Sequence, residues 1–205
     1  LIAQNVIEKT EINDYEATEG VVDLLPIQNY FFEEINSNQF TQEFLLKSKK
    51  VLDIDILKDS FNELFKIHDM LRVTYKTDEN HKPIQEIRKI DSQKSKSSKY
   101  ETQKYKLKNE IQKHANQTNE IHEYKISDKF DKEIKEIVLK SIKSIDINSK
   151  LIDINLIHYN DETYLLIVIH HLIIDGVSWN ILLNDLTDIY TNLEAKRDNN
   201  IPRPY

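Results

Sequence analysis

"YLLIVIHHLIIDGVSWNILLNDL", residues 164–186, decides the fold of this chain. Leu165 to Ile169 are apolar on both alternating faces, the pattern of a central strand covered from both sides. The run stops at His170 and His171. A short loop carries Asp175 and Gly176, and Trp179, Leu182, Leu183, Leu186 and Ile189 then recur at helical spacing. Strand, polar loop and amphipathic helix follow one another within this one stretch. Gly176 is one of two glycines among 205 residues. It is expected to supply a backbone conformation or a close approach that a Cβ would obstruct.

Working outward, "LIDINLIHY" (151–159) pairs with this strand as a hairpin around "NDE". Its Ile152, Ile154 and Leu156 face one way, and Asp153 and Asn155 the other. Upstream, Ser127 is a candidate cap for a helix with Phe130, Ile134, Ile137, Val138 and Ile145 on its inner face. "LRVTY" (71–75) and "PIQEI" (83–87) read as a second hairpin. Asp53 can cap a helix whose stripe is Leu57, Phe61, Leu64, Phe65 and His68, the last read as a core histidine. "QEFLLKS" (42–48) is a short strand. Pro26 stands near a helix start, with Ile27, Tyr30, Phe31 and Glu34 at helical spacing. Helices and strands are mixed and hairpins recur, which predicts an α+β two-layer sandwich of a mixed sheet and helices.

The remaining segments differ in kind. Residues 1–20 read as a linker. Residues 91–123 are rich in Lys, Ser, Gln and Asn, and are too poor in apolar residues to offset their ordering entropy. They read as a solvated low-complexity insertion; the alternative is a basic patch that docks an acidic partner. Hydrophobic residues make up 39% of the chain and charged residues 31%, as in a soluble globular protein, and no run is long enough to span a bilayer. The net charge of −7 argues against a nucleic-acid partner. The chain has no cysteine, which excludes disulfides, thiolate catalysis and Cys-zinc sites and fits a cytoplasmic setting.

Adjacent side chains on a regular strand diverge, so His170 and His171 are not expected to enter one cavity together. One is structural and the other faces the site. Three readings compete: hydrogen-bonded core histidines, a metal site of His170, His171 and Asp175, and a general acid/base suited to neutral pH. Divergence makes chelation by both rings awkward, so no metal is expected. Asp175 can hydrogen-bond an imidazole or pair with a cation.

His170, His171, Asp175 and Gly176 complete the HHxxxDG pattern of the condensation-domain superfamily of nonribosomal peptide synthetases, which this chain resembles. The continuation Val177-Ser178-Trp179, then "NILLNDL", is similar to the epimerization branch. "LLPIQNYFFE" (24–33) and "HDMLRVTY" (68–75) are similar to two further stretches of that branch, with Tyr30 where Trp is usual. "IPRPY" (201–205) resembles a third, and "LIAQNVI" (1–7) resembles the tail of a preceding carrier domain. The resemblance implies a chloramphenicol-acetyltransferase-like fold in which two lobes form a V, with residues 21–205 as the N-terminal lobe.

It also implies inversion, L to D, of the Cα of an aminoacyl or peptidyl thioester. That group is carried on the 4'-phosphopantetheine of a peptidyl carrier domain in the same polypeptide. His171 would be the catalytic residue and His170 structural. Arg72 would pair with Asp175 to hold the loop, and Ser178 and Trp179 would support the helix start. No cofactor is expected to bind directly. The expected partners are the carrier domain and the C-terminal lobe, with no nucleic acid and no membrane. The alternatives are a condensation domain that joins two carrier-bound substrates through the same histidine, and a non-catalytic carrier-docking module.

Overall fold

A computed structural model describes residues 18–90, 120–127 and 129–195. In chain order the elements are β1 (Gly20–Val22), α1 (Pro26–Tyr30), β2 (Thr41–Ser48), α2 (Ile54–Ile67), β3 (Val73–Thr77), β4 (Pro83–Ile87), β5 (Ile121–Ile126), α3 (Phe130–Ser144), β6 (Ile152–Tyr159), β7 (Glu162–His170) and α4 (Gly176–Glu194). They build an α+β fold with two sheets. One is antiparallel in the order β1-β4-β3; the other is mixed, in the order β2-β7-β6-β5. Among the described strands, only β5 runs parallel to its neighbour.

The mixed sheet is apolar on both faces because both are covered. Ile154, Leu156, Leu165, Ile167 and Ile169 join α2 and α4 in the main core. On the opposite face Ile157, Leu166 and Val168 pack against Ile134 and Ile137 of α3. Each such side chain contributes about 1.5–3 kcal/mol on leaving water. Asp53 caps α2 as its position suggests, accepting from the backbone N–H groups of Asp55 and Ile56. Such a cap stabilises by about 1 kcal/mol. Pro26 is the first residue of α1, and the chain continues through a π-helical turn over Phe31–Ile35.

Several expectations are corrected. Ser127 does not cap α3: Lys129 occupies that position and offers no side-chain cap. The face of α1 turned inward carries Gln28 and Phe31, while Ile27 and Tyr30 are exposed. Residues 18–20 are not linker. Gly20 opens β1 opposite Ile87, and the Thr18 carbonyl accepts from Arg72. The segment 91–123 ends too late, because Ile121–Ile126 is β5, with Ile121 and Ile126 buried on opposite faces. Most of that segment, 91–119, lies outside the described residues, as do 1–17 and 196–205.

Asp153 and Asn155 face away from the main core, as their alternation requires, but they are buried beneath α3. Ser141 donates to the Asp153 carboxylate. Asn155 donates to it at 2.9 Å, and Lys150 caps it from the loop. Among the described residues no helix is long and apolar enough to cross a membrane.

Candidate active site

The end of β7 is gripped from both sides. The His170 N–H donates to the Leu151 carbonyl, and the His171 N–H donates to the Phe40 carbonyl just before β2. Main-chain bonds therefore hold the two imidazoles in place, and they diverge as the strand geometry requires.

His170 points into the protein and is fully buried. The Leu172 N–H donates to its Nδ1 at 3.2 Å, so Nδ1 carries no proton. Its Nε2–H donates to the Ser37 carbonyl at 3.0 Å. The Phe31 ring meets it edge-on at 5.2 Å. Burial pushes its pKa down; the Ser37 carbonyl opposes this, and the neighbouring His171 adds to it. His170 is a neutral imidazole with both nitrogens committed to the main chain, an arrangement unfit for a metal. Among the described residues no group of three His, Cys, Asp or Glu is placed to hold a metal ion.

His171 is half-buried and stacks on Phe40, with ring centroids 4.9 Å apart. Its Nδ1 lies 2.7 Å from the Ile174 carbonyl. A carbonyl only accepts, so Nδ1 carries the proton. Its Nε2 lies 3.0 Å from the amide nitrogen of Gln42, and the Gln42 Oε1 accepts from the Trp179 indole N–H at 2.8 Å. His171 is thus the Nδ1–H tautomer, with its Nε2 lone pair accepting from the Gln42 amide.

Asp175 is exposed and caps α4, accepting from the Ser178 N–H at 2.7 Å. That N–H, followed by the Ser178 hydroxyl, holds its carboxyl below the usual range; a small burial effect opposes them, and the Val177 N–H and the nearby His171 assist. Trp179 is buried in the first turn and packs on Phe44 at 4.6 Å. Ser178 and Trp179 therefore sit where a helix-start role requires. Gly176 does not meet its expectation: a Cβ there would touch nothing within 4 Å, and its φ is not left-handed.

The expected ion pair between Arg72 and Asp175 does not form. The Arg72 guanidinium is buried and fully used elsewhere. Its Nε donates to the Arg88 carbonyl at 3.0 Å, Nη1 to the Phe65 carbonyl at 2.8 Å, and Nη2 to the Thr18 carbonyl at 3.1 Å. Its ionic partner is Asp69, three residues back, at 2.6 Å. The local i, i+3 carboxylate and the carbonyls around it satisfy the cation, while the new N-terminus of α4 satisfies Asp175.

Two glutamines complete the site and were not legible as site residues. Gln42 is one. The other is Gln28, inside the quoted "PIQNY", which is buried and bridges three parts of the fold. Its amide nitrogen lies 3.1 Å from the Leu172 carbonyl in the histidine loop, 3.0 Å from Tyr75 Oη and 2.8 Å from Gln85 Oε1, its two hydrogens shared among these three acceptors. Its own oxygen accepts from the Leu25 N–H. Burial pushes the Tyr75 hydroxyl pKa up. A polar residue on the inward side of a helix start was the available signal for Gln28. For Gln42 there was none without the pairing of β2 to β7.

This is the framework of a condensation-type domain. The model of the Condensation domain family matches residues 18–205, and the chain belongs to that family. It is 30% identical over 191 residues to Bacitracin synthase 3 of Bacillus licheniformis, covering 91% of this chain and 3% of that protein. It is 30% identical over 175 residues to Gramicidin S synthase 1 of Brevibacillus brevis, covering 84% and 14%.

Among solved structures, the epimerization domain from the third module of tyrocidine synthetase B superposes with a TM-score of 0.74 at 24% identity, covering 93% of this chain and 39% of that one. The first condensation domain of the calcium-dependent antibiotic synthetase gives 0.66 at 13%, covering 93% and 41%. The expected fold class is thereby established. The chain spans well under half of each solved domain and a small fraction of each synthase.

Proposed function

We propose that this chain is the N-terminal lobe of an epimerization domain in a nonribosomal peptide synthetase, and that His171 is its acid/base group. The carrying observation is the state of that ring: a half-buried imidazole whose Nδ1–H is pinned to the Ile174 carbonyl and whose unprotonated Nε2 has the Gln42 side-chain amide as its partner. The Val177-Ser178-Trp179 continuation and the "PIQNYFFE" stretch favour epimerization over condensation.

The substrate is an aminoacyl or peptidyl thioester on the phosphopantetheine arm of a carrier domain. The thioester acidifies the Cα–H. Nε2 of His171 takes that proton as its bond from the Gln42 amide gives way, and the C–H electron pair moves into the enolate. A second group on the opposite face, outside the described residues, returns a proton to Cα. Protonated His171 can also stabilise the enolate oxygen. His170 holds the loop from behind and takes no proton. Gln28 acts on the loop from the side, through the Leu172 carbonyl.

The test uses the full-length synthetase with its carrier loaded, in deuterated water. His171→Ala should abolish deuterium uptake at Cα and leave the fold intact. Undiminished uptake in the folded variant would overturn the assignment, and His171-dependent amide formation without uptake would point to condensation instead.

A further inference from the structure

We infer that Gln42, anchored by the Trp179 indole, is a positioning residue that reinforces, at Nε2, the Nδ1–H tautomer of His171 which the Ile174 carbonyl selects; the inference rests on His171 being the acid/base group. Gln42 stands on β2 opposite Ile169. It therefore shares a sheet face with Ile169 and comes beside His171.

Its amide orientation follows from chemistry. An indole N–H only donates, and it lies 2.8 Å from Oε1. The amide oxygen is thus committed to Trp179, and the NH₂ group faces His171 Nε2 at 3.0 Å. A ring nitrogen that receives an N–H bears no proton of its own. At the other end of the ring, the Ile174 carbonyl independently demands a proton on Nδ1. The two constraints come from different elements, β2 with α4 on one side and the histidine loop on the other, and they select the same tautomer.

The contact is more than structural support because the atom that Gln42 touches is the one that would receive the Cα proton. Once Nε2 is protonated, its new N–H and the amide N–H oppose each other. The bond from Gln42 therefore forms only to the base form of the ring and is lost when the proton arrives, so Gln42, held by Trp179, favours the form that is ready to accept it.

The test begins with ¹⁵N ring spectra of His171 in the labelled 205-residue chain at neutral pH. The wild type should show a protonated Nδ1 and an unprotonated Nε2. Gln42→Glu keeps size and an acceptor for Trp179, but replaces the donor to Nε2 with a carboxylate oxygen. The unprotonated-nitrogen signal should be lost in that variant, with both nitrogens protonated. Gln42→Leu should keep the Nε2 lone pair and shift the Trp179 indole N–H resonance.

A wild-type ring protonated at Nε2 rather than Nδ1, or a Gln42→Glu ring spectrum identical to wild type, would overturn the inference. Should Gln42→Leu fail to fold, the near-isosteric Gln42→Glu decides alone. In the full-length synthetase, Gln42→Glu should slow Cα deuterium uptake by about tenfold or more, part of the roughly 10²–10⁴-fold that a positioned acid/base supplies. If His171→Ala leaves uptake intact, the proposed function fails, while the ring spectra still judge Gln42.

Discussion

Arg72→Leu separates two accounts of what the buried guanidinium does. Arg72 and Asp69 have side chains only 7% and 12% exposed, and Arg72 also satisfies the carbonyls of Phe65, Arg88 and Thr18. Removing one partner of a buried pair costs about 3–5 kcal/mol. Asp69 keeps a further contact from the Thr18 N–H at 3.3 Å, so the lower end applies: about 3 kcal/mol, or about 6–12 °C in Tm for a chain of this size. Asp175→Ala removes only a helix cap and should cost about 1 kcal/mol. The decisive assay is a pair of double-mutant cycles by urea unfolding of the 205-residue chain. Arg72 with Asp69 should show a coupling of about 1–3 kcal/mol, whereas Arg72 with Asp175 should be additive within about 0.5 kcal/mol. Coupling above about 1 kcal/mol between Arg72 and Asp175, with additivity toward Asp69, would refute this account and restore the pairing implied by the family motif.

Further outcomes follow from the same geometry. His170 has a folded pKa below its unfolded value, so the unfolded chain binds more protons. Stability should fall as pH drops below the ordinary histidine value of about 6.5, and pH-dependent unfolding of His170→Gln should lack that limb. For Asp153, burial alone would raise the carboxyl pKa, but hydrogen bonds from Lys150, Ser141 and Asn155 outweigh it and hold it low. Its contribution should be complete above about pH 4 and lost as pH falls through the folded value, so Asp153→Asn should flatten the acid limb of an unfolding titration. Gly176→Ala meets no neighbour and should leave the chain unchanged or stabilise it by up to about 1 kcal/mol; a thermal melt showing a larger loss would mean that the glycine conformation is required. The 205-residue chain should fold and yet take up no deuterium at Cα of a loaded carrier. On the proposed function, His171 serves one face of the enolate and inversion needs a second group on the other.

What could be read from the sequence divides along a physical line. α2, α4 and the β6–β7 hairpin repeat a local signal over many residues, an apolar stripe or an alternation bounded by a cap or turn, and were legible. The histidine loop was legible because strand, loop and helix are contiguous. β5 was hidden because "IHEYKI" carries polar side chains at an edge position and follows a long polar stretch. Gln42 was hidden because its meaning depends on register. One residue of slip between β2 and β7 would turn it to the other face of the sheet, and nothing local to "TQEFLLKS" sets that register. Arg72 was assigned the wrong partner because a motif names two residues without the main chain between them. The carbonyls that surround its guanidinium are invisible in side-chain identities.

The adjacent histidines raise a question that the geometry answers. Two identical side chains follow one another, and their environments push them toward opposite uses. His170 lies on the inward side of the strand end, where burial favours the neutral ring and both nitrogens are taken by main-chain groups of residues 37 and 172. It is fixed and chemically silent. His171 lies one residue on, where the strand has just ended, and a carbonyl of the turn holds only its Nδ1. The group at its other nitrogen is the Gln42 side-chain amide rather than a main-chain group. The first imidazole braces the loop that carries the second. On the proposed function, a ring that exchanges a proton stands beside one whose nitrogens are both held by the main chain, and those contacts rather than the ring itself set the difference.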